Sequence, residues 1–406
     1  MNDIKILVVS ATPFRKDYKS RFLESYLKSF KKENIFYFFV TDTLPDPGSF
    51  NSAYKITDRT MFRHLFSKKV GGEVIKEENV DFNKFQGITG GKDFSPLLKK
   101  ITRKILWRKD RWNSKLLNDW LLTVKPDAVL LVWHDNIFLN EIAKKIADKY
   151  KLPLVISIND DYIFQNNNRH LFRYAKSLFE KENVHLFYIS DLMKERYDLE
   201  FNKNGLTIHS SSNIKFEKLN TRFPIKNLCY FGSVSLGRLN TLLFFAKKTN
   251  SIGLNIDLYA NSFLSKKEIK SIKEVENVCL KDPISYEKIR ETIKHYDAIL
   301  LAEELHNVRN INAVKYSLTT KIGDSLAYNK PKIFIGNSGT GLIDFALKNK
   351  CGFVITEKDD PVSVIEGINY DMALRVHENS KVVYLNEFCS ENSSKKFLDY
   401  LNKVIN

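Results

Sequence analysis

The sequence predicts an α/β protein built from two doubly wound parallel sheets in tandem, and three observations carry that expectation. Apolar runs of strand length alternate with helical patterns along both halves, and strands without interleaved polar residues belong to parallel sheets covered on both faces. The series is interrupted once, over Ser210–Lys226 (SSSNIKFEKLNTRFPIK), which is polar, carries a proline and loses apolar periodicity as a linker should. The length of 406 residues is too great for one comfortable core and suits two domains or three. One Rossmann-like domain is therefore expected at 1–210 and a second at 225–390.

In the first half the expected strands are Ile4–Val9 (IKILVV), Ile35–Val40 (IFYFFV), Ala128–Trp133 (AVLLVW), Leu154–Ile158 (LVISI) and His185–Ile189 (HLFYI). In the second half they are Leu228–Phe231, Ile256–Tyr259, Val278–Leu280, Ala298–Ala302 (AILLA), Lys332–Ile335 (KIFI) and Gly352–Ile355. The closing segment Asn392–Asn406 reads as a helix capped by Ser393 or Ser394. Its apolar residues Phe397, Leu401 and Ile405 recur every fourth position, so it packs on something, and it is expected to return to the first domain.

A hydrophobic fraction of 43% with 13% aromatics excludes wholesale disorder. The net charge of +16 and a pI near 9.3 point to an anionic partner: a membrane surface, a nucleic acid or phosphorylated small molecules. The four cysteines, Cys229, Cys279, Cys351 and Cys389, show no metal or redox spacing and read as small apolar core residues of a reducing cytosol. The run Ile6–Val9 is too short for a targeting segment, and no stretch approaches the roughly 18–20 apolar residues that span a bilayer. The expectation is a cytoplasmic protein, soluble or resting on the inner face of the membrane.

Two stretches of the second half carry chemistry. In CYFGSVSLGRLNTLLFFAKK a strand ends at Phe231, and Gly232 and Gly237 allow close backbone approach where open α/β sheets bind ligands. Arg238 then opens the helix Leu239–Lys248, well placed for a diphosphate. The loop is neither G-x-G-x-x-G nor a P-loop, which removes support for NAD binding and ATP hydrolysis. In KYSLTTKIGDSLAYNKPKIFIG, Ser317, Thr319 and Thr320 are candidate caps of a helix with Ile322, Leu326 and Ala327 on one face, ended by Asn329 and Pro331. Such a helix start, with Lys321, suits a phosphate, and Asp324 one turn further could accept hydrogen bonds from a ribose diol. In the first half His134 and Asp135 directly follow a strand. Finally, Lys99–Lys115 (KKITRKILWRKDRWNSK) holds eight basic residues and one acidic, with Ile101, Ile105, Trp112, Leu116 and Trp120 on one helical stripe. A cationic amphipathic helix over about 97–120 would suit an anionic lipid surface, or be a solvated basic face over a core stripe.

The second half resembles the donor-binding domain of bacterial glycosyltransferases of the GT-B fold, most like glycosyltransferase family 4 and its relatives in capsule and lipopolysaccharide assembly. The matching pieces are YFGSVSLGRLNTL, LKDPISYEKIRETIKHYDAILLAEE and YSLTTKIGDSLAYNKPKIFIGNSGTGLIDFALKNKCGFVI. In the first half PDAVLLVWHDN, KLPLVISINDD and YISDLMKERY are similar to the acceptor-domain pattern. The resemblance implies two Rossmann-like domains facing a cleft, onto which His134 and Asp135 would open, one of them to orient the acceptor or act as base. It implies that Gly232, Ser233, Arg238, Ser317, Thr319, Thr320 and Lys321 meet the donor diphosphate, that Asp324 holds the ribose, and that Ile284 cradles the base. Tyr316 stands where the family has a catalytic glutamate, Ser233 where a second arginine is common, and Asn159 where many relatives have histidine. The glycine-rich first loop is missing, with Arg15 or Lys16 available instead.

What the resemblance implies is transfer of a sugar from a nucleoside-diphosphate sugar, UDP- or GDP-linked, to a glycan or undecaprenyl-diphosphate-linked acceptor. The reaction would be metal-independent and retain anomeric configuration, and it would serve surface polysaccharide biosynthesis with no cofactor beyond the donor. Two other readings stay open: a GT-B relative that is not a transferase (a sugar-nucleotide epimerase or an inactive partner subunit), and a basic nucleic-acid-binding protein, for which no recognised module is present.

Overall fold

The computed structural model describes residues 4–15, 19–79, 102–165, 168–260 and 264–405. Lys16 and the start of the basic stretch, 97–101, lie outside the described residues. The chain divides into two compact units, Met1–Ile208 with Ser394–Asn406, and His209–Ser393.

The first unit holds an eight-stranded sheet formed by β1 (Ile6–Ser10), β2 (Ile35–Phe39), β3 (Ser52–Lys55), β4 (Glu73–Lys76), β5 (Ala128–Val132), β6 (Leu154–Ile158), β7 (Val184–Tyr188) and β8 (Leu206–Thr207). The order is β4-β3-β2-β1-β5-β6-β7-β8, parallel except for the pair β3–β4. Strands β1, β2 and β6 are buried along their whole length, which is why they read as unbroken apolar runs. The strand order reverses between β1 and β5, so His134 lies just past the carboxyl end of a strand at the switch point.

The C-terminal helix begins at Ser390, and from Ser394 onward it belongs to the first unit. Phe397 is fully buried there, with ring centroids 5.6 Å from Tyr26 and 5.3 Å from Phe187. The expected cap at Ser393 or Ser394 is wrong. Ser394 is inside the helix, donating to the Tyr26 carbonyl at 2.9 Å and accepting the Ser29 N–H at 2.7 Å.

The basic stretch is not one amphipathic helix. Lys109 and Asp110 take left-handed φ values of 53° and 52°, which break the run ahead of the helix Lys115–Val124. The stripe therefore does not form: Trp112 and Trp120 pack into the core against Phe38 and Tyr54, while Ile105 and Leu116 are exposed. Trp107 is stacked on Phe138 at 4.5 Å and donates Nε1–H to Asp58 at 2.8 Å. Arg111 is buried, giving its guanidinium to the carbonyls of Ser67, Leu106 and His64. These tryptophans and this arginine are structural, so the expected cationic amphipathic helix does not form over the described part of the stretch.

The second unit holds six parallel strands, β9 (Asn227–Gly232), β10 (Asn255–Ala260), β11 (Val278–Lys281), β12 (Ala298–Ala302), β13 (Lys332–Ile335) and β14 (Phe353–Ile355), in the order β11-β10-β9-β12-β13-β14. This is the doubly wound order with its reversal between β9 and β12. Both faces carry a core. Leu228, Tyr230 and Leu258 belong to one, and Cys229, Ile299, Leu301 and Phe334 to the other. Cys351 is buried as expected of a core thiol, but Cys279 is exposed because β11 is an edge strand.

The segment Ser210–Lys226 is not a free linker. Its backbone N–H groups at Ser212, Glu217 and Asn220 donate to the carbonyls of Phe388, Ala327 and Asn329 at 2.8, 3.0 and 2.8 Å. Lys332 in β13 is fully buried, donating Nζ–H to the Tyr328 carbonyl at 2.9 Å, with His377 Nδ1 at 3.3 Å. His377 in turn donates Nε2–H to the Glu217 carbonyl at 2.8 Å. Burial pushes the Lys332 ammonium down to about 7 and the His377 imidazole to about 4.

Candidate functional site

The loop after β9 is shaped by its glycines. Gly232 has φ +119° and Gly237 φ +84°, both in the region that disfavours a side chain. A Cβ on residue 232 would overlap the Lys321 ammonium, and one on residue 237 would overlap the Glu304 carboxylate. The loop is thus laid directly over Lys321 on one side and Glu304 on the other. Between the glycines, the Tyr230 hydroxyl donates to the Ser233 carbonyl at 2.6 Å, and the Ser233 and Ser235 hydroxyls bond each other at 2.7 Å.

Arg238 opens the helix Arg238–Thr249. Its Nη2 lies 2.8 Å from both oxygens of Glu303 and hydrogen-bonds Oε1, while Glu303 Oε2 has no hydrogen-bond donor among the described residues. Burial works to lower the Arg238 pKa, but the Glu303 charge and hydrogen bond outweigh it and the net shift is upward. Lys321 is half-buried, its Nζ 5.0 Å from the centre of the Tyr230 ring. Burial pushes its ammonium down to about 8; the Arg238 charge adds to the fall and Glu303 opposes it. Glu304, also buried, accepts the backbone N–H of Leu305, His306 and Asn307 on Oε1 and the Asn310 amide on Oε2.

The helix Ile322–Ala327 is not capped by a hydroxyl as expected. Lys321 occupies the N-cap position in helical conformation with no side-chain cap bond, because a turn closed by Ile322 N–H to the Thr319 carbonyl (3.2 Å) leads directly into it. Thr320 is exposed, Thr319, Ser317 and Tyr316 are half-buried, and Lys315 Nζ lies 5.4 Å from the Tyr316 ring centre. Gly323 lets the helix approach the Ser210 carbonyl and the Phe388 ring, each 3.1 Å from where its Cβ would be. Asp324 is buried, and the Tyr286 hydroxyl donates to its Oδ1 at 3.0 Å. Tyr286 opens the helix Tyr286–Ile293 two residues after half-buried Ile284.

The expected donor residues therefore fall into two groups joined by one short helix. Gly232, Arg238 and Lys321 meet at the switch point, and Asp324 is tied to the Ile284–Tyr286 segment. Sequence reasoning missed Glu303, Glu304, Tyr230 and Tyr286; the readable signal was two carboxylates following the fully apolar strand AILLA.

In the first unit, described by itself, His134 and Asp135 follow β5. Asn140, fully buried, holds the His134 backbone by accepting its N–H at 3.2 Å and donating to its carbonyl at 2.8 Å. Two neighbours compete for His134 Nδ1: the Asn136 backbone N–H at 3.0 Å and Asp135 Oδ1 at 2.8 Å. Asn136 Nδ2 lies 2.8 Å from that Asp135 oxygen, to which it donates, and 2.9 Å from His134 Nδ1, so it bridges the pair. Asn159 accepts the Tyr26 hydroxyl at 3.0 Å; of the adjacent carboxylates, Asp160 is exposed and Asp161 is buried against the Tyr197 hydroxyl at 2.8 Å.

No family model and no curated protein sequence matches the chain. Solved structures do. HepE of Anabaena, in complex with UDP, is 12% identical over 98% of this chain and 99% of its own, with a TM-score of 0.62. A glycosyltransferase of Rickettsia africae is 12% identical over 100% and 99%, with a TM-score of 0.59. TarM, an S. aureus protein, is 14% identical over 71% of this chain but only 57% of its own, with a TM-score of 0.51, so the chain spans under two-thirds of TarM. At such identities the likeness is one of architecture, and it agrees with the two doubly wound sheets: the chain has the GT-B fold of two Rossmann-like domains.

Proposed function

We propose that the protein is a glycosyltransferase that moves a sugar from a nucleoside-diphosphate sugar to a glycan or lipid-linked acceptor. The observation that carries this reading is the meeting of Lys321 and Arg238 over Gly232, at the carboxyl ends of β9 and β12 where the strand order reverses. Two cations beside a glycine loop at a switch point suit a diphosphate. An ammonium pushed to about 8 is still charged at neutral pH. UDP is the favoured nucleotide, since HepE was solved with UDP and with UDP-glucose.

In the reaction an acceptor hydroxyl oxygen bonds to the anomeric carbon as the bond from that carbon to the β-phosphate oxygen breaks. Negative charge collects on the leaving diphosphate, and the departing β-phosphate oxygen takes the acceptor's proton on the face where the new bond forms. Arg238 and Lys321 stabilise that charge without further reorganisation, because loop and helix already hold them. Asp324 takes the ribose hydroxyls, exchanging its bond with Tyr286, and Ile284 lies beside the base. The first domain binds the acceptor, with His134 and Asp135 placed to orient it. Retention of configuration, and service in surface glycan assembly, complete the reading.

The test is calorimetric titration of the wild type, Lys321→Ala and Asp324→Ala with UDP, GDP, CDP, dTDP and ADP. UDP is expected to bind, with at least a tenfold loss in each variant. A wild type that binds none of the five overturns the reading.

A further inference from the structure

We propose that Glu303 is the resident counter-anion of the diphosphate site: it holds Arg238 while the site is empty and yields it to the incoming diphosphate, so it governs how tightly nucleotide is held and how readily it leaves. This rests on the reading of the β9 and β12 ends as the donor site, and it assigns a role to a residue that no donor contact requires.

Glu303 follows β12 with its backbone anchored, its N–H given to the Ile335 carbonyl at 2.9 Å and its β-carbon set against Gly336. Its side chain is 4% exposed and that of Arg238 16%, so the pair is nearly desolvated. A bare cation there would be costly, and Lys321 adds a second like charge. Glu303 offsets one of the two. The ion pair is also unfinished. One guanidinium nitrogen faces both carboxylate oxygens but bonds Oε1, and among the described residues Oε2 receives no hydrogen bond and Nη1 reaches only the Ser235 carbonyl at 3.5 Å. An arginine that satisfied a structural carboxylate would present two parallel donors. This one keeps donors in reserve on the loop side. A diphosphate entering over Gly232 must share Arg238 with a carboxylate whose charge repels it. That competition limits affinity for donor and for the nucleoside diphosphate product alike, which favours release after transfer.

The experiment compares UDP binding to the wild type, Glu303→Gln and Glu303→Asp by calorimetry between pH 6 and 9. With the competing charge removed and the shape kept, Glu303→Gln is expected to bind UDP about tenfold more tightly at pH 6.5. Glu303→Asp, with a longer and weaker ion pair, falls between. A second readout separates this role from a merely structural one. The groups facing Lys321 are Arg238, Glu303 and the Tyr230 ring, whose hydroxyl burial keeps neutral across this range. Losing Glu303 leaves burial and Arg238 to lower the ammonium further. UDP affinity in Glu303→Gln therefore starts to weaken at lower pH than in the wild type. Equal or weaker binding by Glu303→Gln at pH 6.5 overturns the proposal while leaving the donor site standing. If Glu303→Gln does not fold, equal or weaker binding by Glu303→Asp does the same. Failure of the wild type to bind any nucleoside diphosphate overturns both.

Discussion

The Lys321 side chain occupies the space that any side chain on residue 232 would need, since a Cβ at Gly232 overlaps both its Nζ and its Cε. Two independent demands thus fall on one position, a φ of +119° and an open face. The glycine is needed for what lies over it as well as for the turn it makes. Gly237 repeats the arrangement with an anion: φ is +84° and the overlapping group is the Glu304 carboxylate. One loop is bounded by a cation and a carboxylate, at two glycines of the same turn.

Gly232→Ala is expected to cost about 1–3 kcal/mol of stability through backbone strain, because the far end of Lys321 is flexible and can be pushed aside. UDP affinity should fall by tenfold or more, since the displaced ammonium no longer faces the loop. Chemical unfolding and calorimetry on the same preparation check both. A variant that keeps wild-type affinity would remove Lys321 from the donor site.

Gly237→Ala is expected to be worse, at about 2–4 kcal/mol, because Glu304 cannot yield as easily. Its carboxylate accepts three backbone N–H groups and the Asn310 amide, so moving it strips a whole turn of its partners. The ranking of the two alanine variants by unfolding midpoint is the measurement, and equal midpoints would show that the Glu304 turn opens freely.

The central strands were legible because their surroundings are uniform: Leu154–Ile158, Ala298–Ala302 and Lys332–Ile335 are bounded as their apolar runs suggest. The short strands β3 (SAYK) and β4 (EVIK) were not: β4 is the edge strand and interleaves polar with apolar residues, while β3, though paired on both sides, is four residues long with a serine and a lysine at its ends. The tryptophan stripe misled because helical spacing was carried through Lys109 and Asp110, whose left-handed backbone nothing in their side chains announces. At the candidate site, glycines and cations could be read from strand-end position. Glu303 was passed over although two carboxylates follow the apolar strand AILLA, since a carboxylate after a strand looks solvated until the Arg238 helix is known to start against it.

The C-terminal helix offers a test of packing. Phe397 is fully buried among Tyr26, Phe30 and Phe187, with centroids 5.6, 6.2 and 5.3 Å away. Phe397→Ala should destabilise the first unit by about 3–5 kcal/mol, the range for an emptied aromatic site. The fluorescence unfolding midpoint in urea is the readout, as all four tryptophans, Trp107, Trp112, Trp120 and Trp133, belong to that unit. An unchanged midpoint would mean that the helix does not seat in this core.

Lys332 gives a pH dependence whose sign can be worked out. Its ammonium, pushed to about 7 in the folded protein, has an ordinary value of 10.5. Between those values the unfolded chain holds a proton that the folded chain has lost, so stability rises as pH climbs from about 7 toward 10. Below 7 both states are protonated and the full cost of burying the charge is present. His377 adds a rise of the same sign from about 4 to 6.5, where burial and then the Lys332 charge keep it neutral. Lys332→Met removes the buried charge and keeps the stem. Relative to wild type it should therefore be most stable near pH 6.5 and lose that advantage steadily toward pH 10. There the neutral lysine's bond to the Tyr328 carbonyl favours the wild type by about 1 kcal/mol. Urea unfolding of both proteins at half-unit intervals gives the difference directly, and Lys321, present in both, drops out of it. A difference that stays flat from pH 6.5 to 10 would mean that Lys332 keeps its proton inside the sheet, with His377 and the Tyr328 carbonyl together solvating a charge that burial alone would expel.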